Sequence, residues 1–530
     1  MINWEWFAIV PGLILFLYGI ENFSREIQKA AGEKFRVFLS KLTKNRFGGA
    51  SLGAFVTAII QSSTATTVIA VGLVNAGVIS FQQSLGIMIG ANVGTTITAQ
   101  LIAFKLTAFA PFFILLGFLL SIFGGRYKFL GKPLFYFGLV FFSITLLSSA
   151  IEPLKDDPAV IDTFSKLDSV SLAILAGLIF TVIIQSSSVT TGIVILLAQN
   201  GLLSLEMSIP IIFGTNIGTT VTSALASLRM SLHAKRAAVA HILFNIGGVV
   251  IFLPFLVPFT GMIHDLGGTT AHQVANAHTV FNIVCAVIFL LFIKQFKEIV
   301  ERIIPGKEEE ILLHTKYLPE KMPRNKEKSF RLVEKEIKHS LDVTASMFEG
   351  AMKTIRTGKD EFQRVEKYES LTDFLNERID GAILQLSQRK LDEDNARRTV
   401  LLTRISNAIE QLADSGEDLG RLSNNMAESG LYLSPQSVKE LDDVYQKFME
   451  NIKILEESLP SIPEKSVRKI RKNDDTIREL TNVSYKDHIK RLSKQKAYAG
   501  NIFIDSLSIL ETANSKVREI RKLSELYRKL

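Results

Sequence analysis

The chain has 530 residues, 47% of them hydrophobic, and a formal net charge of +8; that length suffices for two domains at ~100–200 residues each. Its single cysteine, Cys285, excludes an internal disulfide or a thiolate cluster. The basic excess is spread over loops and C-terminal helices instead of forming one stripe, which argues against nucleic acid as a partner.

Composition changes near Pro305, from long apolar runs to charged, heptad-like patterning. In the first part, apolar stretches fall at 7–23, 50–75, 83–103, 107–124, 133–150, 172–198, 207–227, 238–258 and 277–295, against the ~17–25 residues of a membrane helix. Met1 to Trp6 carries no basic n-region and no small-x-small site follows, so Phe7 to Phe23 reads as a retained span, not a removed leader. The chain is thus expected to be an all-α, multi-pass protein of the cell membrane.

Lys and Arg near span ends collect on the cytoplasmic side. Arg25, Lys29, Lys34, Arg36, Lys41, Lys44 and Arg46 place the first long loop inside, as do Arg126, Lys128 and Lys132, and then Arg229, Lys235 and Arg236, for theirs. Glu152, Asp156, Asp157, Asp162 and Asp168 mark an outside loop, and Lys294 and Lys297 put the C-terminal part inside. These sides agree only if the polar stretches 50–75 and 172–198 enter and leave on one side, as re-entrant or broken helices.

Those two stretches repeat one another. Gln61-Ser62-Ser63 recurs as Gln185-Ser186-Ser187, and Gly90-Ala91-Asn92-Val93-Gly94-Thr95-Thr96 as Gly214-Thr215-Asn216-Ile217-Gly218-Thr219-Thr220, both at an offset of 124. Of the 50 positions from Gly53 to Ile102, 22 match their partners at that offset without a gap. With the charge bias, this predicts inverted repeats (about 1–125 and about 130–258, with an extra span at about 277–295) and a site where the halves meet. Backbone irregular at membrane depth is tolerated only where it is buried or lines a cavity.

Ser, Thr, Asn and Gln offer neutral donors and acceptors, and broken half-helices turn N-termini toward an anion and carbonyl ends toward a cation. The polar segments contain no Lys or Arg to neutralise an anion and no Asp or Glu of the kind used in proton relays, which favours sodium as the coupling ion. Hydroxyl-rich half-helices alone do not choose among phosphate, sulfate and a dicarboxylate. Ala240-His241-Ile242-Leu243-Phe244-Asn245 and Ala277-His278-Thr279-Val280-Phe281-Asn282 each set His and Asn four apart on one helical face, a spacing suited to interhelical hydrogen bonds. His264 and His272 read as loop residues, and no metal-ligand spacing emerges.

From about Lys326 onward, apolar residues recur at three- and four-residue spacing among Glu, Lys and Arg, broken at Pro435 and Pro460 and by turn-like residues in Gly416–Gly430 and Ser461–Glu464. A bundle of about six helices fits this pattern. Glu369 with Asp373, and Glu410 with Asp414, stand four apart. No nucleophile–base pair, phosphate loop with Lys or metal triad is present, so an enzyme is not expected.

At the Gln-Ser-Ser repeats the chain resembles the type II sodium/phosphate cotransporter family, whose signature is a pair of Gln-Ser-Ser-Ser-like motifs in inverted repeats. Gln185-Ser186-Ser187-Ser188 matches fully; the first copy has Thr64 in fourth place and keeps the hydroxyl. The resemblance implies sodium-driven movement of inorganic phosphate, with Gln61, Ser62, Ser63, Thr64, Gln185, Ser186, Ser187 and Ser188 as central ligands and Asn92, Thr95, Asn216 and Thr219 in support. The acidic Glu-x-x-x-Asp pairs are similar to those of PhoU-like bundles, which many bacterial members carry on the cytosolic side. The implied organisation is a transport domain at 1–300, a linker at 301–325 and a PhoU-like domain at 326–530, regulatory or assembling in role. Sodium ions act as coupling ions, with no prosthetic group and no protein-bound metal. A homodimer or a cytosolic regulatory partner is compatible with this reading; a membrane phosphate sensor or scaffold is the alternative.

Overall fold

The computed structural model describes residues 4–42, 45–104, 106–153, 157, 160, 169–306, 310–492 and 500–530. Lys44, Asp156, Asp162 and Asp168, used above for orientation, lie outside them. The described residues form helices and no strand, in two compact units, Met1–Glu310 and Ile311–Leu530. Six helical runs, 81–103, 106–123, 128–151, 205–227, 232–265 and 270–291, are long and apolar enough to cross a membrane. The protein is an all-α, multi-pass membrane protein.

The first unit starts with α1 (Trp4–Leu42), which runs well past the expected span, so Arg25, Lys29, Lys34, Arg36 and Lys41 lie on a helix and not in a loop. The reason is local. Residues after Phe23 are mostly good helix formers, and Glu21–Arg25 (2.6 Å) and Glu26–Lys29 (2.9 Å) pair along the surface. Next come α2 (Arg46–Ile60), α3 (Ser63–Asn75), α4 (Phe81–Ala103), α5 (Ala110–Phe123) and α6 (Lys128–Ile151). The second half repeats the pattern with α7 (Val170–Ile184), α8 (Ser187–Gln199), α9 (Leu205–Gly218), α10 (Thr220–Ser227) and α11 (Leu232–Phe252), followed by α12 (Leu256–Asp265), α13 (Thr270–Leu291) and α14 (Ile293–Ile303). His264 and His272, expected in a loop, belong to the last turn of α12 and the first turn of α13; Thr269 caps α13 by accepting the His272 N–H.

Glycines set the close approach of the long helices, identically in both halves. A Cβ on Gly53 would stand 2.1 Å from the Ile87 carbonyl oxygen, and one on Gly90 1.9 Å from that of Ala50, so α2 and α4 touch backbone to backbone. At the offset of 124, Gly177 faces the Ile211 oxygen at 2.1 Å and Gly214 the Ile174 oxygen at 1.9 Å, joining α7 to α9. Helices in lipid lack a hydrophobic drive toward one another and rely on such van der Waals fit.

The halves then interlock. α3 packs on α10 and α11 of the second half, and α8 packs on α4 and on α13. Gly192 on α8 admits the Phe16 ring and Ile102, and Asn75 at the end of α3 accepts the Ser231 N–H that opens α11 (2.8 Å). One apolar core therefore serves both halves, with Phe16, Phe81, Phe141, Phe213 and Phe281 fully buried in it. At its exit, Arg236 donates to the Ile304 and Gly306 oxygens (3.1 and 3.0 Å), and the Glu310 carboxylate accepts the Phe81 N–H (2.5 Å) at the start of α4.

The second unit is a bundle of α15 (Lys326–Thr357), α16 (Phe362–Ser387), α17 (Glu393–Glu428), α18 (Pro435–Ser458), α19 (Glu464–Leu492) and α20 (Gly500–Tyr527). Ahead of α15, residues read above as linker are fastened to it. The fully buried Glu336 carboxylate accepts N–H bonds from Lys316, Tyr317 and Leu318 (2.9, 2.6 and 2.9 Å), and Leu318 and Met322 enter the bundle core. Gly416 and Gly420, read as turn-like, lie inside α17, where they admit Met347 and Val365; the helix stops only before Gly430, which has φ +62°.

Candidate functional site

Each Gln-Ser-Ser segment is a break between two helices of 15 and 13 residues. At 1.5 Å per residue these arms reach about 20 Å, short of the ~30 Å hydrocarbon core. The break is made by the glutamine. Gln61 (φ 59°) and Gln185 (φ 57°) are the two non-glycine residues with positive φ among the described residues, and each closes its helix through its own N–H, 2.7 Å from the Thr57 and Thr181 oxygens. A left-handed L-residue costs about 1–2 kcal/mol, and strain of this kind persists where surrounding structure enforces it, commonly at functional positions.

The following serine starts the next helix. Ser62 Oγ accepts the Ala65 N–H (3.2 Å) and Ser186 Oγ the Val189 N–H (3.4 Å), leaving the amides of Ser63 and Thr64, and of Ser187 and Ser188, ahead of the first helical bonds. Thr57 and Thr66 join hydroxyls across the first break (2.9 Å), as Thr181 and Thr190 do across the second (3.1 Å). At each break a carbonyl-bearing helix end meets an amide-bearing one, so a cation and an anion can be held side by side by dipoles alone. No charged side chain occurs from Phe47 to Phe104, or from Ser169 to Met230 other than Glu206 and Arg229.

The surroundings differ between halves. Gln61 is half-buried, its Oε1 accepting from Thr98 Oγ1 (2.6 Å) and its Nε2 donating to the Ala58 oxygen, whereas Gln185 is exposed. Ser63, Ser187 and Ser188 are buried, and Ser62, Thr64 and Ser186 half-buried. Among the supporting residues, Asn92 donates to the Met88 oxygen of its own helix (2.9 Å), Thr219 donates to the Thr215 oxygen (2.8 Å), and Thr95 Oγ1 is buried without a partner. Asn216 instead lies between His278 and Asn282 of α13. Among the described residues no hydrogen bond joins the two motifs directly; they are brought into one core by α3 and α8 crossing to the opposite half. A cavity of about 690 Å³ opens beside α7, α9 and α12, lined by Ser204, Glu206, His264 and Asp265, and no motif residue lines it.

Sequence reasoning passed over Thr57, Thr66, Thr67, Thr181, Thr190 and Thr191. Thr67 and Thr191, the third of these pairs, hold buried hydroxyls with no partner. Their signal was present in the repeat, since all six match at the offset of 124. In the second unit the acidic pairs converge. Burial, then Asp373 and Glu417, push the Glu369 carboxyl up to about 7, and burial with Asp373 raises Asp414. Among the described residues, no group of three or more His, Cys, Asp or Glu is placed to hold a metal ion.

Residues 15–149 and 161–263 match the Na+/Pi-cotransporter family. The chain is also 34% identical over 298 residues, 56% of its length and 97% of the relative's, to "Uncharacterized protein YqeW" of Bacillus subtilis. The chain belongs to the Na+/Pi-cotransporter family. Over 492 residues, 92% of its length and 91% of the relative's, it is 24% identical to the "Putative inorganic phosphate export protein YjbB" of Escherichia coli. Over 152 residues, 27% of its length and 24% of the relative's, it is 34% identical to "Sodium-dependent phosphate transport protein 2A" of Mus musculus. No solved structure matches. A Na+/Pi cotransporter is a transporter and not an enzyme, and the two broken helices fall inside the matched residues.

Proposed function

We propose that the protein moves inorganic phosphate across the cell membrane coupled to sodium, by alternating access about the two Gln-Ser-Ser breaks. The observation that carries this reading is the pair of left-handed glutamines at one offset, each joining a carbonyl end to an amide end in uncharged surroundings. Phosphate takes the amide ends and hydroxyls of Ser62, Ser63, Thr64, Ser186, Ser187 and Ser188. Sodium takes the carbonyl ends with Gln61 and Gln185, supported by Asn92, Thr95, Asn216 and Thr219. The halves are inverted copies, and two near-equal halves give two near-equal states, which suits transport better than sensing. The second unit is cytosolic and regulates flux or assembly. The full-length likeness to a protein named for phosphate export supports measuring both directions, since gradients set the sign of coupled flux.

The test is radiolabelled phosphate flux in proteoliposomes with and without a sodium gradient, for wild type, Gln61→Ala and Ser187→Ala. Sodium-dependent flux in wild type, lost in both variants, is expected. Binding of phosphate by wild type without flux would replace transport with sensing.

A further inference from the structure

We propose that His278 and His241 are positioning residues that clamp the second-half segment from Asn216 to Ser223, His278 holding Asn216 in a fixed orientation, while among the described residues its first-half counterpart Asn92 has no such clamp. This rests on the transport reading above, in which both asparagines support the ion site.

The two Ala-His-x-x-Phe-Asn segments sit on different helices, α11 and α13, yet both imidazoles reach one helical run. His278 Nε2 lies 3.2 Å from Asn216 Oδ1, and His241 Nδ1 lies 3.0 Å from Ser223 Oγ. Asn216 and Ser223 are seven residues apart, two turns along one face of α9–α10. Asn216 Nδ2 faces Asn282 Oδ1 at 3.5 Å, and Asn282 Nδ2 donates to the His278 oxygen (2.8 Å). The amide of Asn216 is thus held at both ends by one turn of α13.

Counting protons assigns the tautomers. Asn216 Oδ1 can only accept, so His278 donates from Nε2. Ser223 Oγ spends its proton on the Thr220 oxygen (2.9 Å), so His241 donates from Nδ1. The remaining nitrogens, His278 Nδ1 and His241 Nε2, are buried with no partner. Both rings are 1% exposed and both donate in the neutral form.

The offset of 124 shows what the first half lacks. The counterparts of Asn216 and Ser223 are Asn92 and Ala99; alanine offers no hydroxyl, and among the described residues Asn92 donates only to Met88 of its own helix. A near-symmetric chain therefore carries a one-sided clamp. The oxygen of Asn216 keeps one lone pair for a cation in a preset direction, and fixed partners of this sort typically govern affinity by about 10–100-fold.

The experiment compares full-length wild type, His278→Phe and His278→Gln in proteoliposomes, reading the sodium concentration for half-maximal flux and, separately, the phosphate KM at saturating sodium. Phe keeps the ring volume without a donor, and Gln restores a donor. His278→Phe is expected to raise the half-maximal sodium concentration about 10-fold, with phosphate KM unchanged, and His278→Gln to recover most of the shift. An unchanged sodium dependence in His278→Phe, equal impairment in His278→Gln, or equal loss of sodium affinity and phosphate KM overturns the clamp. If His278→Phe does not fold, as judged by size exclusion and melting in detergent, Asn282→Leu takes its place; it leaves the imidazole intact and is expected to shift sodium dependence in the same direction, an unchanged value overturning the proposal. Isotope-labelled histidine NMR of wild type separates this proposal from the transport reading. Nε2–H on His278 and Nδ1–H on His241 are expected even if no flux is seen, and the opposite tautomers overturn the clamp even if flux is normal.

Discussion

At Gln61 and Gln185 the side chain and the backbone perform separate tasks, and substitution separates them. Gln61→Gly removes the left-handed penalty of about 1–2 kcal/mol together with the bonds to Thr98 and Ala58, about 1 kcal/mol each, and the two sides nearly cancel. We expect its melting temperature in detergent to stay close to wild type while flux is lost. Gln61→Val puts a β-branched residue at φ 59°, and we expect it to destabilise the protein by at least about 2 kcal/mol. Thr66→Val removes the hydroxyl that bridges to Thr57 and should cost about 1 kcal/mol in the same melt. The glutamines could be picked from the sequence because they recur at the offset of 124; their backbone conformation could not, because glycine is the residue that usually signals positive φ and none stands there. Asn216 was chosen from sequence as a ligand on equal terms with Asn92. Only the approach of α13 showed that the two differ.

Among the elements, the paired glycines define how α2 meets α4 and α7 meets α9. Gly90→Ala and Gly214→Ala would each bring a methyl within 1.9 Å of a carbonyl oxygen, and backbone cannot yield as a side-chain tip does. Each should cost at least about 1–3 kcal/mol as overpacking, read as loss of monodisperse protein in size exclusion or a fall in melting temperature. Gly72 on α3 has nothing within 4 Å, so Gly72→Ala should instead stabilise by about 0.5–1 kcal/mol. From sequence alone these glycines look alike, since their distinction depends on which face of each helix another helix covers. The broken helices were legible, because Ser, Thr and Gln crowd a run that would otherwise cross the membrane. The extent of α1 was not: hydropathy ends a span where polar residues begin, but helical propensity carries the helix onward.

For the molecule as a whole, pH acts through two carboxylates of the second unit that shift in opposite directions. Glu369 is raised to about 7 from the ordinary 4.5 by burial, then by Asp373 and Glu417. A carboxyl raised on folding contributes stability below its unfolded pKa that is lost as pH rises through the folded value. Hydrogen-exchange protection factors of α16 and α17 in the full chain should therefore fall between about pH 4.5 and about pH 7, and Glu369→Gln should flatten that fall; unchanged protection across the range would contradict the cluster. Glu336 behaves oppositely. Burial opposes its ionisation, but His339 and three backbone N–H groups outweigh that and hold it below the usual range, so its contribution is lost only on acidification. A deletion testing the role of the second unit should begin after Glu310, because Gly306 and Glu310 are bonded to Arg236 and Phe81 within the first unit.

Sequence by itself determined the all-α membrane class, the positions of the two breaks, the repeat that relates them and the uncharged hydroxyl and amide side chains around them, because each follows from residue type and spacing along the chain. Tertiary structure alone decided which glycines are contacts, that residues 311–322 belong with the helical bundle, and that His278 and His241 grip one half and not the other. Those depend on helices distant in sequence meeting in space, which residue type and spacing along the chain do not record.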